Sequence, residues 1–529
     1  SAAYIPYRLL RTQLDNPQPG RIGGDFWEGS ILFADLSGFT TFCEELSALG
    51  KQGAEEVSSV VNQLFNGLVA EVLSTPGELG GGGELLKFGG DALTAFFDAE
   101  TFGEAHAIAA TSAALRMQKR MEAFTSVETR AGIFRLGLRI GVHSGNVFAA
   151  EVGDESHIEL VVLGAGVNRV ALAQSIAAPG EVVISEQTAQ MLEGAEVIPR
   201  KVAGFFQVLS LPETTVIPPA GVLHVDWRDD IAALERLATQ IAALKPYLLR
   251  DLPRRYLDNT VTDIGELRPV SVIFANFYDF SALLPLFEDH TDLAANALNA
   301  YFRRVQTVVH RYGGVINKVD MYTRGDKIMA LFGAPGAHED DALRAVRCAL
   351  ELVNTLEEAN TEIGEMLAEL NVSPSDPLEQ EHKLPPAILP QPALALKQRI
   401  GINTGTVFAG RVGGSHRYEY TVMGPAVNLA SRLMESAEEG TVLISPATRA
   451  SVERRVIAIE QAPIHIRGIA EPIVPWRVLD EEEEEPMSMT EGRSNRAPLV
   501  GRDPELVLLL AEAKVALRES GRMLALVGD

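Results

Sequence analysis

Short apolar runs alternate with longer amphipathic stretches along residues 30–212, which predicts alternating strands and helices. The run ILFA at residues 31–34 is typical of a buried strand, and LLKFGGDAL at 85–93 predicts a hairpin that turns at Gly89-Gly90. The predicted helices cover residues 40–49, 54–73, 105–124 and 167–177, and the further strands cover 181–185 and 138–147, the latter with a turn at Ser144-Gly145.

The second half of the chain repeats this order of elements. FADLSGF at 33–39 matches FANFYDF at 274–280, and RIGVHSGNVFAAEVG at 139–153 matches RIGINTGTVFAGRVG at 399–413. Corresponding residues of the two halves are 235 positions apart at Asp91 and Asp326, but 260 positions apart from Arg139 and Arg399 onward. The second half therefore contains an insertion of about 25 residues between these points. Residues 371–392 are rich in Pro, Glu and Ser, which predicts that the insertion is an exposed loop.

The repeat and the composition of the intervening stretches predict the domain boundaries. We expect two homologous domains, joined by a linker whose residues 232–244 form a helix that ends before Pro246. The predicted segments are 1–27 (N-terminal segment), 28–212 (first domain), 213–265 (linker), 266–479 (second domain), 480–497 (acidic linker) and 498–529 (start of a further domain).

Two carboxylates of the first half stand beside predicted turns. Asp35 follows the strand at 31–34 and precedes the Ser37-Gly38 turn, and Asp91 follows the glycines of the predicted hairpin. An aspartate before Ser-Gly is more often a turn or helix-capping residue. Two carboxylates on adjacent strands can instead bridge two Mg²⁺ ions, with Mn²⁺ as the alternative metal, for in-line attack at phosphorus.

The charge balance limits the possible partners. The chain carries 46 Lys and Arg against 71 Asp and Glu, a net charge of −25, which argues against non-specific binding to nucleic acid or to an anionic membrane. A phosphate site must therefore concentrate its own cations. No apolar run reaches about 18 residues, so we expect no membrane insertion. Cys43 and Cys348 are the only cysteines, which favours a reducing, cytoplasmic location without disulfides.

The two halves differ where chemistry would occur. The position of Asp35 is occupied by Asn276 in the second half, although Asp326 remains opposite Asp91. The second half has Asn428 and Arg432 four residues apart, which places them on one face of a helix. The first half keeps Asn168 but has Leu172 in place of the arginine.

These spaced motifs resemble the class III nucleotidyl cyclase homology domain, twice, over about residues 30–480. The order of the motifs and Thr421 most resemble the soluble, bicarbonate-responsive adenylyl cyclases with tandem catalytic domains. The resemblance implies two α+β domains, each a mostly antiparallel sheet flanked by helices, that form a pseudo-twofold intramolecular heterodimer. Residues 498–529 resemble the entry to the ATPase region that often follows, so an ATPase region is expected beyond Asp529.

The same resemblance implies roles for individual residues. Asp35 and Asp91 match the metal ligands, Lys318 and Thr421 the adenine-binding positions, and Asn428 and Arg432 the pair that orients the ribose and stabilises the transition state. Gly38, Phe39 and Arg139 are expected to contact the substrate. A Lys donor and a Thr hydroxyl suit the N1 acceptor and N6 donor of adenine, whereas guanine would favour a carboxylate. Taken singly, Lys318, Thr421 and Arg432 could equally be structural residues.

The pseudo-twofold axis implies a second, degenerate site that contains Lys87, Val161, Asn168, Asn276 and Asp326. In the resembling cyclases this pocket binds a regulator, and Lys87 matches a lysine that contacts bicarbonate. The partner arginine of that pattern aligns with Ala171, so only the nearby Arg169 could replace it. The alternative for Lys87 is an internal ion pair with Asp91 or Asp326.

The sequence therefore predicts an adenylyl cyclase that converts ATP to 3′,5′-cyclic AMP and pyrophosphate. A different class of function is also compatible with it, namely a non-catalytic nucleotide- or anion-sensing module that gates a downstream ATPase. The intact Asp35, Asp91, Lys318, Asn428 and Arg432 weigh against this alternative. Guanylyl cyclase activity is disfavoured by Lys318 and Thr421.

Overall fold

The computed structural model describes residues 4–75, 78–79, 82–212, 231–249, 265–322, 325–370, 395–413, 417–465 and 472–482. The described residues from 4 to 481 belong to one compact unit. The predicted loop at 371–392, the predicted ATPase entry at 498–529 and nearly all of the predicted acidic linker lie outside the described residues.

A mixed sheet forms the centre of the first domain. Its strand order is β11-β12-β10-β8-β1-β5-β4, and β9 pairs with β8. Neighbouring strands are antiparallel except β10 and β8, which are parallel. The strands are β1 Gly23–Ser37, β4 Glu84–Phe88, β5 Ala92–Asp98, β8 Gly137–Asp154, β9 His157–Leu163, β10 Val182–Ser185, β11 Glu196–Pro199 and β12 Phe205–Ser210; β2 Ser74–Thr75 pairs with β3 Glu78–Leu79, and β6 Val127–Thr129 with β7 Gly132–Phe134.

The sheet of the second domain has the same order in the corresponding strands, β14-β15-β13-β16-β18-β20-β19, with β17 paired to β16. Again only the pair β16 and β18 is parallel. This confirms two homologous α+β domains. The strands are β13 Glu266–Tyr278, β14 Val315–Met321, β15 Asp326–Phe332, β16 Lys397–Gly413, β17 Tyr418–Met423, β18 Val442–Ile444, β19 Val456–Glu460 and β20 Trp476–Glu481.

Helices cover the sheets where the sequence shows helical periodicity. They are α1 Tyr7–Asp15, α2 Phe39–Ser47, α3 Lys51–Leu73, α4 Ala99–Phe102, α5 His106–Met121, α6 Ala165–Ile176, α7 Glu186–Gln190, α8 Ile231–Leu244, α9 Phe280–Leu283, α10 Thr291–Arg311, α11 Asp341–Glu369, α12 Pro425–Ser436 and α13 Pro446–Val452. The linker helix ends at Leu244, as predicted, before a short 3₁₀ turn at Lys245–Tyr247.

The predicted turn at Ser144-Gly145 is wrong. Strand β8 continues through both residues, and Gly145 lies in register with Gly29 of β1. The glycine has φ +151°, a conformation that residues with a Cβ rarely adopt, so it bends the strand without ending it. The N-terminal segment also differs from the prediction, because it contains helix α1 and because β1 begins at Gly23.

The alternation of side chains along β1 determines which way its carboxylate faces. Leu32 and Ala34 pack into the core beneath helices α3 and α5, whereas Ile31 packs on the opposite face with Met321 of the second domain. Because successive side chains of a strand point to opposite faces, Asp35 lies on the same side as Ile31. The strand therefore presents Asp35 toward the second domain.

The longest strand of each domain carries side chains that are buried in the core of the other domain. Phe148 of β8 is buried in a core with helices α10 and α11 of the second domain, and Phe408 of β16 is buried in the core of the first. A fully buried Phe side chain contributes about 1.5–3 kcal/mol. Because each core contains residues from both repeats, the two domains stabilise each other within one chain.

Two further observations concern surfaces and thiols. Among the described residues, no helix is both long enough and apolar enough to cross a membrane. Cys43 and Cys348 are buried, in helices α2 and α11, and burial raises the pKa of both thiols.

Candidate active site

Asp35 lies at the end of β1, where the chain turns into helix α2. The turn needs a glycine at position 38, because Gly38 has φ +83° and an added Cβ would lie 2.5 Å from the carbonyl oxygen of Arg135. Phe39, the first residue of α2, is buried and fixes the helix start against the core. The polypeptide therefore passes from Asp35 directly into a helix N-terminus, where backbone N–H groups favour anions.

Asp91 lies at the tip of the hairpin formed by β4 and β5, as predicted. Gly90 before it has φ +74°, which allows the tight turn. The N–H of Leu36 donates to the carbonyl of Asp91 at 3.0 Å, so the hairpin tip is joined to the end of β1. This bond and the pairing of Asp35 with Ala92 place the two carboxylates on adjacent strands.

The two carboxylates are held in an unfavourable electrostatic setting. Burial raises the pKa of Asp35, and the guanidinium of Arg139 opposes this shift through an ion pair. Burial and then the charge of Asp35 raise the pKa of Asp91. Gln174 of α6 donates a further hydrogen bond to Asp35 at 3.2 Å. Two partly buried carboxylates with raised pKa values, one of them raised in part by the charge of the other, are a donor set that a divalent cation would stabilise.

Protein side chains alone do not complete a metal site here. Among the described residues, no group of three or more His, Cys, Asp or Glu side chains is arranged to hold a metal ion. Two carboxylates nevertheless fit a Mg²⁺ ion that keeps waters and arrives with substrate phosphates, because this ion is usually held by one or two carboxylates.

Two hydrogen bonds bring residues of the second domain to this edge. Lys318 of β14, which is buried, donates to the carbonyl of Phe88 at 2.6 Å. Asn428 of α12 donates to the hydroxyl of Thr40 at 2.9 Å. Phe88 precedes Asp91 by three residues, and Thr40 follows Asp35 by five. The structure thus assembles the predicted site residues from both repeats along one interface.

The remaining residues predicted in the second domain line the same interface. Thr421 of β17 is buried and donates to the side-chain oxygen of Asn317 at 2.9 Å, beside Lys318. Arg432, one turn after Asn428 on α12, pairs with Glu435 at 2.7 Å. Its charge makes a small contribution that opposes the raised pKa of Asp35 in the first domain.

Sequence reasoning missed three residues that accompany the predicted site residues. Gln174 contacts Asp35 directly, Asn317 contacts Thr421, and the charge of Lys327 lowers the pKa of both Asp35 and Asp91. An alignment of the two repeats shows a change of residue type at all three positions, because Gln174 corresponds to Met434, Lys327 to Ala92 and Asn317 to Leu86.

The pseudo-symmetric face has lost its exposed carboxylate pair. Asn276 is fully buried, donates to the backbone oxygen of Asp326 at 2.9 Å and accepts from Arg399 at 2.9 Å. Burial raises the pKa of Asp326 to about 8, with the charge of Lys87 opposing the shift. Leu172 occupies the position of Arg432 and is partly exposed. This face therefore lacks counterparts of the Asp35 carboxylate and of the Arg432 guanidinium.

Lys87 forms an internal ion pair, but with a residue that the sequence did not indicate. Its ammonium donates to Glu159 at 3.0 Å, to the carbonyl of Leu160 at 3.0 Å and to the carbonyl of Val319 at 2.5 Å. The expected partners, Asp91 and Asp326, form no such bond with it. The reason is that β9 pairs with β8 and so brings Glu159, 72 residues away, to the hairpin.

Val161, Asn168 and Arg169, which the sequence also associates with the degenerate pocket, do not line the cavity that contains Lys87. Val161 and Ala171 are buried, and Asn168 lies on α6. A cavity of about 70 Å³ lies between the domains, and its lining includes Lys87, Lys318, Glu159, Glu419, Tyr4 and Tyr247. The guanidinium of Arg169 packs over the ring of Phe205 at 5.6 Å.

A comparison with known proteins matches each of the two repeats separately. Residues 26–207 and 263–476 each match the family model described as the adenylate and guanylate cyclase catalytic domain. Adenylate cyclase type 10 of Homo sapiens is 26% identical over 466 residues, which are 82% of this chain and 25% of that protein. Its counterpart in Oryctolagus cuniculus is 26% identical over 539 residues, 97% of this chain and 30% of that protein. The chain thus spans about a quarter to a third of the length of these relatives.

A solved structure shares the tandem arrangement. A class III adenylyl cyclase-like ATP-binding protein from Pseudomonas aeruginosa aligns over 84% of this chain and 92% of its own, with a TM-score of 0.52 and 15% identity. At this identity the likeness concerns the fold.

Proposed function

The chain belongs to the family of adenylate and guanylate cyclase catalytic domains, and we propose that it converts ATP to 3′,5′-cyclic AMP and pyrophosphate at one site between its two domains. The observation that carries this proposal is the meeting of Asp35 and Asp91 of the first repeat with Lys318, Asn428 and Arg432 of the second. The similarity to adenylate cyclase type 10 supports ATP as the substrate.

Each side chain has a defined task in this proposal. Lys318 and the hydroxyl of Thr421 bind the adenine edge, Asn428 orients the ribose, and the fork of Arg432 binds phosphate oxygens as negative charge develops on them. Arg139, Gly38 and Phe39 hold the triphosphate at the start of α2. Divalent metal ions serve this family, and two of them, Mg²⁺ or Mn²⁺, held by Asp35 and Asp91, would neutralise the phosphates and activate the 3′-hydroxyl for in-line attack.

The direct test is cyclase activity of the chain with ATP and with GTP, each in Mg²⁺ and in Mn²⁺. Cyclic AMP formation from ATP, in clear excess over cyclic GMP formation from GTP, is the expected result. Binding of ATP without any cyclic product would instead support the nucleotide-sensing alternative.

Base choice is tested by changing the two residues proposed to bind adenine. Lys318→Glu combined with Thr421→Cys is expected to weaken ATP turnover and to admit some GTP, because the pocket would then accept hydrogen bonds from guanine. The measurement is kcat/KM for both nucleotides, with Lys318→Ala as the companion variant. Unchanged ATP kinetics in Lys318→Ala would contradict the adenine-binding role.

The degenerate face leads to a proposal about regulation. We propose that a small anion, bicarbonate in the pattern of the resembling cyclases, binds at Lys87. In the structure all three N–H donors of the Lys87 ammonium already form hydrogen bonds, and the acceptor of one of these bonds is the carboxylate of Glu159. An anion must therefore displace the carboxylate of Glu159, which would free the hairpin that carries Asp91.

The corresponding prediction is an activity increase with bicarbonate at fixed pH, compared with equal chloride, that disappears in Lys87→Ala. In Glu159→Gln the anion no longer competes with a carboxylate, so half-maximal stimulation should occur at a lower bicarbonate concentration. The measurement is the rate of cyclic AMP formation across a bicarbonate titration. A rate that stays constant in the wild-type chain would leave Lys87 with a purely structural role.

A further inference from the structure

Lys327 occupies a position at which the two repeats differ in charge. It is the second residue of β15 and lies in register with Asn276 of β13 and with Asp320 of β14. In the first repeat the corresponding pair is Ala92 opposite Asp35. The second repeat has thus exchanged a carboxylate for an amide and a methyl group for an ammonium. This pair of positions therefore carries a carboxylate in the first domain and an ammonium in the second.

The ammonium of Lys327 lies beneath the helix that carries two of the proposed substrate-binding residues. Its Nζ is 3.4 Å from the hydroxyl of Ser431 on α12, and Ser431 directly precedes Arg432. The same Nζ is 5.1 Å from the centre of the Phe274 ring and 5.6 Å from that of Tyr322. Two aromatic faces and one hydroxyl stabilise a cation while leaving hydrogen-bond donors available.

The neighbouring basic residues are already paired, and Lys327 is not. Arg139 pairs with Asp35, Arg432 pairs with Glu435, and Arg399 donates to Asn276. Within the described part of the chain, no carboxylate forms an ion pair with Lys327. Its Nζ instead approaches the hydroxyl of Ser431, the residue that precedes Arg432 on α12. The charge of Lys327 therefore lies beside the residue to which the proposed function assigns phosphate oxygens.

We propose that Lys327 is a phosphate-binding residue of this site, which contacts the polyphosphate of the nucleotide from the second domain. The proposal rests on the proposed function for the identity of the substrate. The chain as a whole carries a net charge of −25, so attraction of a polyanion depends on local cations. A Lys ammonium on a flexible stem can follow phosphate oxygens as a point charge.

The test separates phosphate binding from base binding. Affinities for ATP, for inorganic tripolyphosphate and for adenosine are measured by calorimetry in Mg²⁺ for the wild type, Lys327→Gln and Lys327→Arg. Lys327→Gln is expected to weaken ATP and tripolyphosphate binding about tenfold, because a hydrogen bond to a charged group is lost. Adenosine affinity should be unchanged, and Lys327→Arg should restore most of the loss. Lys119→Gln, an exposed lysine of α5, controls for the loss of one positive charge.

Turnover provides the second readout. If Lys327 binds phosphate equally in the ground state and the transition state, Lys327→Gln raises KM about tenfold while kcat changes less than about threefold. Unaltered tripolyphosphate affinity in Lys327→Gln would overturn the proposal, as would an equal loss of adenosine affinity. If the wild type forms no cyclic product but Lys327→Gln still loses tripolyphosphate affinity, the phosphate site stands and the proposed reaction fails. If the wild type is active and Lys327→Gln behaves like it, the proposed reaction stands and Lys327 is not part of the phosphate site.

Discussion

Asp35→Asn and Asp91→Asn are each expected to lower kcat for cyclic AMP formation by at least about 10²-fold without unfolding the protein, as for the loss of metal-ion catalysis. The amide has the shape of the carboxylate but no charge to hold a divalent ion. Burial already raises the pKa of both carboxylates, so the neutral amides should not destabilise the fold. The measurements are initial rates in Mg²⁺ and in Mn²⁺, with the melting temperature as the check on folding.

The repeat supplies a matched control for these variants. Asp326 occupies the position of Asp91 in the second domain and is buried, and burial raises its pKa to about 8. Asp326→Asn should therefore leave kcat within about threefold of the wild type, because the proposed metal site does not include it. Near-normal activity in Asp35→Asn or Asp91→Asn would contradict the metal-binding assignment. A large loss in Asp326→Asn would show that the degenerate face takes part in turnover.

The sequence predicted the elements that repeat and the residues that terminate them. The apolar run before Asp35, the glycines before Asp91 and the helical spacing of Asn428 and Arg432 all specify local geometry, and the structure contains the corresponding strand, hairpin and helix. The resemblance to the family is confirmed by the match of both repeats. Local patterns were sufficient here because each of these residues lies within one element.

Contacts that join distant strands could not be predicted from local patterns. Glu159 meets Lys87 because β9 folds back on β8, and this pairing has no signature at either residue. Lys327 follows Asp326 in a strand whose sequence does not distinguish it. Its proposed role depends on the contact with Ser431 of helix α12, which is 104 residues further along the chain. The turn predicted at Ser144-Gly145 failed for a related reason, since pairing with Gly29 of β1 outweighed the turn propensity.

Arg432 leads to the second large effect, because the proposed function assigns its guanidinium to the charge that develops on the phosphate oxygens in the transition state. Its side chain is 47% exposed, and among the described residues its ion-pair partner is Glu435 on its own helix, so Arg432→Ala should keep the fold. Loss of an electrostatic stabiliser of the transition state is expected to lower kcat about 10²–10³-fold. Lys119→Gln again controls for the removed charge, and the melting temperature should remain close to that of the wild type.

Mixing the Asp35→Asn chain with the Arg432→Ala chain then tests whether both halves of the site come from one chain. Asn428 bonds Thr40, Lys318 bonds Phe88, and each core contains side chains of both repeats, so we expect every site to form within a chain. Each site in the mixture would then contain one defect, and the activity should remain at the level of the separate variants. If chains instead exchanged domains, random pairing would restore one intact site in each mixed dimer, about a quarter of wild-type activity. Such recovery after co-expression would show that the site forms between two chains.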